Sequence, residues 1–195
     1  MTKKNKTSQN IVEAAFKLFA EHGIEKTSLS MIANEVGISK PAIYYHFSSK
    51  EALIDFLFEE IFSDFYFSYY FSPDQYTVHN FEELLIKEGL NMLAEHDEDQ
   101  HVLRVLNEFV LTVGRNQKYQ QRLMDMQADF LNGFSNLLMK GMELGVVLPE
   151  QTEAKAHMLA MVLDNISNFM LMGFKLNYRD IWIEAVKSVI IHQNT

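Results

Sequence analysis

Residues 28–47 read SLSMIANEVGISKPAIYYHF, and the fold turns on their spacing. Leu29, Ile32, Ala33 and Val36 recur at i, i+3, i+4 and i+7, which makes one apolar stripe on a short helix. Gly37 ends that helix, because glycine enters the left-handed conformation of a tight C-terminal turn without a Cβ clash. Ser39 then offers a hydroxyl to cap a second helix. Pro41 falls within that helix's first turn, where backbone N–H groups have no intrahelical partner. Two short helices joined by a three- or four-residue turn containing glycine form a helix-turn-helix, whose second helix enters the DNA major groove.

The second helix has two unlike sides. Ile43 and Phe47, four apart, supply the buried one. Lys40, Pro41, Ala42, Tyr44, Tyr45 and His46 supply a cation, a small contact surface and hydrogen-bonding aromatics, with no carboxylate to repel phosphate. Lys40 starts the helix, where its ammonium can donate to guanine O6 and N7; a phosphate contact is the alternative. Ala42 can touch a thymine methyl. Tyr44, Tyr45 and His46 have the donors for phosphate contacts, although either tyrosine can instead pack the core. Lys50 begins the next helix, where its charge joins the backbone N–H groups in holding a phosphate.

The string AAFKLFAEHGIEKTSLSMIANEVGISKPAIYYHFSSKEAL, residues 14–53, resembles the TetR family of bacterial one-component regulators. The resemblance runs from Ile11 to about Leu53, with the Tyr-Tyr-His-Phe and Ser-Lys-Glu-Ala-Leu segments intact as Tyr44–Phe47 and Ser49–Leu53. Position 41, often glycine in that family, is proline here, a departure that bears on operator preference. The resemblance implies an all-α protein: a three-helix helix-turn-helix DNA-binding head, then a helical ligand-binding and dimerisation domain. It also implies phosphate contacts at Thr27 and Ser28, an effector cavity, and a four-helix dimer bundle made by the last two long helices of each copy. Helix capping is the other role open to Thr27 and Ser28, and the two roles are compatible.

The net charge of −9 suits a DNA-binding protein once it is divided. Residues 1–50 hold seven Lys against four Glu, +3, whereas residues 51–195 hold ten Lys or Arg against 22 acids, −12. A basic head on an acidic remainder leaves one end of the molecule to meet DNA. Hydrophobic residues make up 48% and charged residues 22%, which are globular values, and 195 residues are ample for a core. The absence of cysteine excludes disulfides and thiolate metal sites and suits the cytoplasm. The polar start MTKKNKTSQN is no secretory signal. The apolar run Ile54–Phe71 carries Asp55, Glu59, Glu60 and Asp64, so a membrane partner is not expected.

Along the chain, Lys3, Lys4 and Lys6 read as a basic arm, placed on DNA or frayed, ahead of a first helix from Asn10 to His22-Gly23. Ser48 and Glu51 have the spacing of a capping box. The stripe Ile54, Phe58, Ile61, Phe62, Phe65 and Tyr69 predicts one long connector helix that ends before Ser72-Pro73-Asp74. Further helices are expected over Phe81–Glu95, His101–Val113 and Gln117–Leu144, with an acidic loop at His96–Gln100 and breaks at Gly114–Asn116 and Gly145–Pro149. The last two cover Gln151–Gly173 and Tyr178–His192. Ala156, Ala160, Leu163, Ile166 and Met170 line one, and Ile181, Ala185, Val189 and His192 line the other. Both are apolar on more than one side, so each needs two partners: its own core and a second copy. The domains are 1–50, the DNA-binding head, and 51–195, connector and effector-binding body.

No Gly-rich phosphate loop, HExxH or G-x-S-x-G elbow is present, so neither catalysis nor a cofactor is expected. The run Glu95–Asp99 with His101 can hold a divalent cation, but a solvated loop explains it more cheaply, and no metal site is assigned. Nine of eleven methionines lie between Met92 and Met172, in a body rich in adaptable apolar side chains. Asn107, Gln127, Phe130, Asn165 and Asn168 are candidates to contact a ligand there. The expected function is sequence-specific transcriptional repression by a homodimer. It sits on a double-stranded inverted-repeat operator and is released by a small, largely apolar effector. The alternatives are a ligand carrier or a protein-interaction module whose head no longer binds DNA.

Overall fold

The computed structural model describes residues 3–64, 66–98, 100–113 and 116–191. Its helices are α1 (Lys3–His22), α2 (Leu29–Val36), α3 (Lys40–Tyr44), α4 (Lys50–Asp64), α5 (Phe67–Tyr70), α6 (Phe81–Glu98), α7 (Gln100–Val113), α8 (Gln117–Glu143), α9 (Thr152–Leu171) and α10 (Tyr178–Lys187). Among the described residues the only other regular elements are a 3-10 turn at Pro73–Gln75 and one antiparallel bridge, Val147 to Ile190. The protein is therefore all-α. No described helix is long and apolar enough to cross a membrane.

The chain divides into two compact units, Met1–Asp64 with His101–Gln121, and Phe65–Gln100 with Arg122–Thr195. The first unit thus holds α4 and nearly all of α7 besides the three head helices. Ile11, Ala15 and Phe19 of α1, Ile32 and Ala33 of α2, Ile43 of α3 and Leu53, Leu57 and Phe58 of α4 are all buried. Phe58 packs edge-on against Phe109 of α7, with ring centroids 4.7 Å apart, and Tyr119 lies 4.5 Å away. The Tyr119 hydroxyl donates to Asp55, and Lys118 pairs with Glu59 at 3.3 Å.

The second unit is built on α6, α8, α9 and α10. Its core joins Phe67, Phe71, Phe81, Phe134, Leu138, Leu159, Leu163 and Trp182. Two glycines set its spacing. A Cβ at Gly89 would fall 2.4 Å from the Trp182 ring, and one at Gly133 would fall 2.2 Å from Phe67. Trp182 also donates its indole N–H to the Ile86 carbonyl at 3.2 Å, satisfying the one polar atom of a fully buried ring.

Several boundaries differ from the sequence reading. Helix α1 starts at Lys3 and takes in the expected basic arm, because KKNKTSQN has no helix breaker. The cap of α4 is Ser49, not Ser48: its Oγ accepts from Ala52 N–H at 3.1 Å, and the helix begins one residue later than a Ser48 box requires. The Glu51 carboxylate lies below the usual range, held there by its own backbone N–H and then by the Ser49 hydroxyl. The connector does not continue to Tyr69. Helix α4 ends at Asp64, and Tyr66 is extended (φ −121°, ψ 151°) before the short α5. The cause is tertiary: Phe67 N–H donates to Asp129 Oδ2 at 2.7 Å while the Phe67 ring sits on Gly133. Helix α6 runs through the expected acidic loop to Glu98, because His96 is a buried residue of its inner side. Helix α10 stops at Lys187, and the chain then pairs with 146–148 through Leu148 N–H to Val189 O (3.1 Å) and Ile191 N–H to Val146 O (2.9 Å). The expectations for Phe65, Asp99, Gly114, Arg115 and His192 lie outside the described residues.

Candidate nucleic-acid interface

The helix-turn-helix forms where the sequence places it. Ser28, in an extended conformation, accepts from Met31 N–H at 3.2 Å and caps α2. Gly37 closes the helix at φ 72°, and Ile38 N–H returns to Ala33 O at 2.9 Å. Ser39 takes the cap position of α3 with extended dihedrals, but its side chain makes no capping hydrogen bond. The expected Ser39 cap is therefore corrected: this helix starts from Pro41's fixed φ and the Ala42 N–H to Ser39 O bond at 2.9 Å.

Ile43 and Phe47 are buried, which anchors the inner side of α3. Lys40 and Pro41 are exposed, and Ala42 and His46 are half-buried. Tyr44 is 49% and Tyr45 71% exposed, so neither tyrosine packs the core. The Tyr45 ring stands edge-on to His46 at 5.4 Å. No carboxylate occurs from Val36 to Lys50, and the nearest one before them, Glu35, is paired with Lys17 at 2.7 Å. The outer side of α3 therefore presents one ammonium, two phenols and an imidazole to whatever approaches.

Thr27 is the exception among the expected phosphate contacts. It is buried, and its hydroxyl donates toward Leu18 O at 3.1 Å and Gly23 O at 2.9 Å, so it fastens the α1–α2 turn from inside. Ser28 keeps the exposed position. Lys50 is half-buried and donates to Glu25 O at 3.3 Å, and this burial lowers its pKa.

Of the five ligand candidates, Asn107 belongs to the first unit and the other four to the second. Asn107 lies on α7 and donates to Leu103 O of its own helix at 3.2 Å; Asn165 is exposed and donates to Met161 O at 2.9 Å. Gln127 and Asn168 meet at Asp164: Gln127 hydrogen-bonds its carboxylate, and Asn168 Nδ2 lies 3.4 Å from Oδ2. Burial raises the Asp164 pKa, and Gln127 opposes the rise. Phe130 alone is in the aromatic core, 6.0 Å from Phe67. An open cleft of about 470 Å³ among Val78, Ile86, Val146 and Ile191 is lined by none of the five. The sequence reading missed the buried polar groups of the second unit. His96 Nδ1 lies 2.8 Å from Ser167 Oγ, and Glu88 accepts from Tyr76 OH and Ser72 N–H. It also missed Glu108, whose carboxylate accepts from Ile24 N–H, 84 residues away, with no local pattern to signal it.

Residues 11–56 match the family model described as bacterial regulatory proteins, tetR family. The chain is 46% identical over 50 residues to the uncharacterised HTH-type transcriptional regulator YerO of Bacillus subtilis, across 26% of this chain and 17% of that protein. The first curated relatives it matches are thus covered over less than a quarter of their own length. A longer alignment, 27% identical over 177 residues, covers 87% of this chain and 82% of the HTH-type transcriptional repressor BepR of Brucella suis. The solved structure of SmeT, the repressor of the Stenotrophomonas maltophilia multidrug efflux pump SmeDEF, superposes with a TM-score of 0.65 at 22% identity, covering 94% of this chain and 90% of that one. SmeT has also been solved in complex with triclosan, at a TM-score of 0.69 and 18% identity over 95% of this chain and 92% of that one. The matched segment holds the whole helix-turn-helix, so residues 11–56 are a DNA-binding segment of the tetR-family type.

Proposed function

We propose that this protein is a cytoplasmic, sequence-specific DNA-binding repressor of transcription that acts as a homodimer and is released by a small, largely apolar effector. The observation that carries the reading is the outer side of α3, where Lys40, Pro41, Tyr44 and Tyr45 are exposed over a buried Ile43–Phe47 anchor. Lys40 reads a guanine, Ala42 meets a thymine methyl, and Ser28, Tyr44, Tyr45 and His46 engage phosphates. An intact recognition helix speaks against a carrier or interaction module that has abandoned DNA.

Dimerisation is supported by α9. Its inner residues Ala156, Ala160, Leu163, Ile166 and Met170 are buried in the protomer. Met158, Met161, Asn165, Asn168 and Met172 follow a 3-4-3-4 spacing on another side, where the three methionines are exposed. That spacing is the seam pattern of helices packed on helices. A two-fold pair places two recognition helices in successive major grooves about 34–36 Å apart, which calls for an inverted-repeat operator. The proposed effector occupies the aromatic body; that a SmeT structure similar to this chain is a complex with triclosan supports a small, largely apolar ligand. A coupling of about 1–3 kcal/mol lowers operator affinity about 5- to 150-fold.

The test is selection of random duplex DNA by the purified full chain near physiological salt, since phosphate-driven affinity falls steeply with salt. Recovery of an inverted repeat is the expected result. A folded dimer that recovers no shared sequence overturns the reading.

A further inference from the structure

The turn between α1 and α2, residues 23–28, is gripped from three directions. From α1, Gly23 N–H bonds Phe19 O at 2.9 Å and the Thr27 hydroxyl reaches Leu18 O. From the start of α4, Lys50 Nζ donates to Glu25 O at 3.3 Å. From α7, Glu108 Oε2 accepts from Ile24 N–H at 3.0 Å. The last grip depends on glycine twice over. Gly23 has φ +83°, which L side chains rarely adopt, and a Cβ there would stand 3.1 Å from Glu108 Oε2 and 3.5 Å from its Cδ and Oε1. The carboxylate therefore lies directly on the bare face of the turn. Its base is firm, because the neighbouring Phe109 is buried against Phe58 and Tyr119. Ile24, whose N–H is held, is buried in the same unit, and the turn leads straight into the Ser28 cap of α2.

Resting on the DNA-binding reading above, we infer that Glu108 is a positioning residue for operator binding: it holds the α1–α2 turn, so α7 sets how well ordered the helix-turn-helix is before DNA arrives. A head ordered in advance loses less freedom on binding, so its affinity is higher. A hydrogen bond from a backbone N–H to a charged oxygen is strong enough for this purpose. Glu108 touches no DNA in this scheme, so it alters affinity without altering the base preference. Any ligand that moves α7 then weakens operator binding through this contact.

The experiment uses the full-length protein and the operator recovered by selection, with three variants. Glu108→Gln keeps the reach and an acceptor oxygen. Glu108→Asp keeps the charge but withdraws it by one carbon–carbon bond, and Glu108→Ala removes the group. Operator affinity is expected to fall about tenfold for Asp and Ala and to stay within about threefold for Gln. Base preference, salt slope and affinity for unrelated DNA should be unchanged, measured well below each variant's melting temperature. Exchange of the Ile24 amide should quicken in Asp and Ala, while the Ile191 amide of the second unit, bonded to Val146 O at 2.9 Å, serves as the internal control. If Ala fails to fold, the Asp–Gln contrast decides. Operator binding by Asp within twofold of the unaltered protein, or an equal loss for Asp and Gln, overturns the positioning role alone. An unaltered protein that selects no duplex sequence overturns the regulatory reading and this role together, so the two failures are told apart.

Discussion

Lys40 and Thr27 show how similar local chemistry leads to opposite roles. Both sit at the edge of a helix with a hydrogen-bonding group, but Lys40 is exposed on the outer side of α3 whereas Thr27 is buried and committed to two backbone carbonyls. Lys40→Ala is expected to cost about 1–3 kcal/mol of discrimination at one base pair in each half-site, read as relaxed selectivity in a repeat of the duplex selection. A uniform weakening across sequences, with the salt slope reduced by about one, assigns the ammonium to a phosphate instead. Thr27, with no free face, belongs to the stability of the head. Its position in the sequence, next to a true cap at Ser28, gives no hint of that.

Two ties decide how the second unit's helices sit together. Phe67 on Gly133 converts what reads as one long helix into α4 and α5, since the ring occupies the space a side chain would need. Gly133→Ala is expected to destabilise the protein by about 1–3 kcal/mol through overpacking, seen as a lower urea midpoint, with part of the loss recovered when Phe67 is also shortened to Leu. A midpoint that does not move argues against this close approach. The other tie joins α6 to α9 through His96 and Ser167. Burial lowers the His96 pKa to about 4 from an ordinary 6.5. The unfolded chain therefore takes up a proton that the folded one refuses. His96's contribution is complete above about pH 6.5 and drains away as pH falls toward 4. Between pH 7 and pH 5 the expected loss is about 2 kcal/mol, measured by urea unfolding as the difference between the unaltered protein and His96→Gln, whose pH slope should be shallower. Equal slopes would refute the assignment to His96.

The proposed dimer depends on the exposed methionines of α9, Met158 and Met161. Met161→Glu puts like charges near one another at the proposed two-fold seam and is expected to halve the mass measured by light scattering at micromolar concentration. Operator affinity should collapse with it, because two half-sites are no longer engaged together. Unchanged mass and affinity would place the interface elsewhere. The charge division belongs to the same scale: ten basic against 22 acidic residues beyond position 50 give a net charge that repels phosphate.

The helix-turn-helix was legible from local pattern because each of its instructions acts over a few residues. The Leu29–Ile32–Ala33 stripe, the Ser28 cap, Gly37 at positive φ and the Ile43–Phe47 pair work within one or two turns of chain. The all-α class and nine of the ten described helices followed from the same periodicity, α5 being the one it did not show, and α7 and α8 lie within a residue or so of their expected bounds. What pattern could not show is which distant groups meet. The break at Tyr66 needs Asp129 and Gly133, the extension of α6 needs Ser167 beside His96, and the α1–α2 turn needs Glu108. A hydrogen bond between residues 62, 71 or 84 positions apart leaves no periodic trace, because its partners are brought together only when the apolar faces between them have packed.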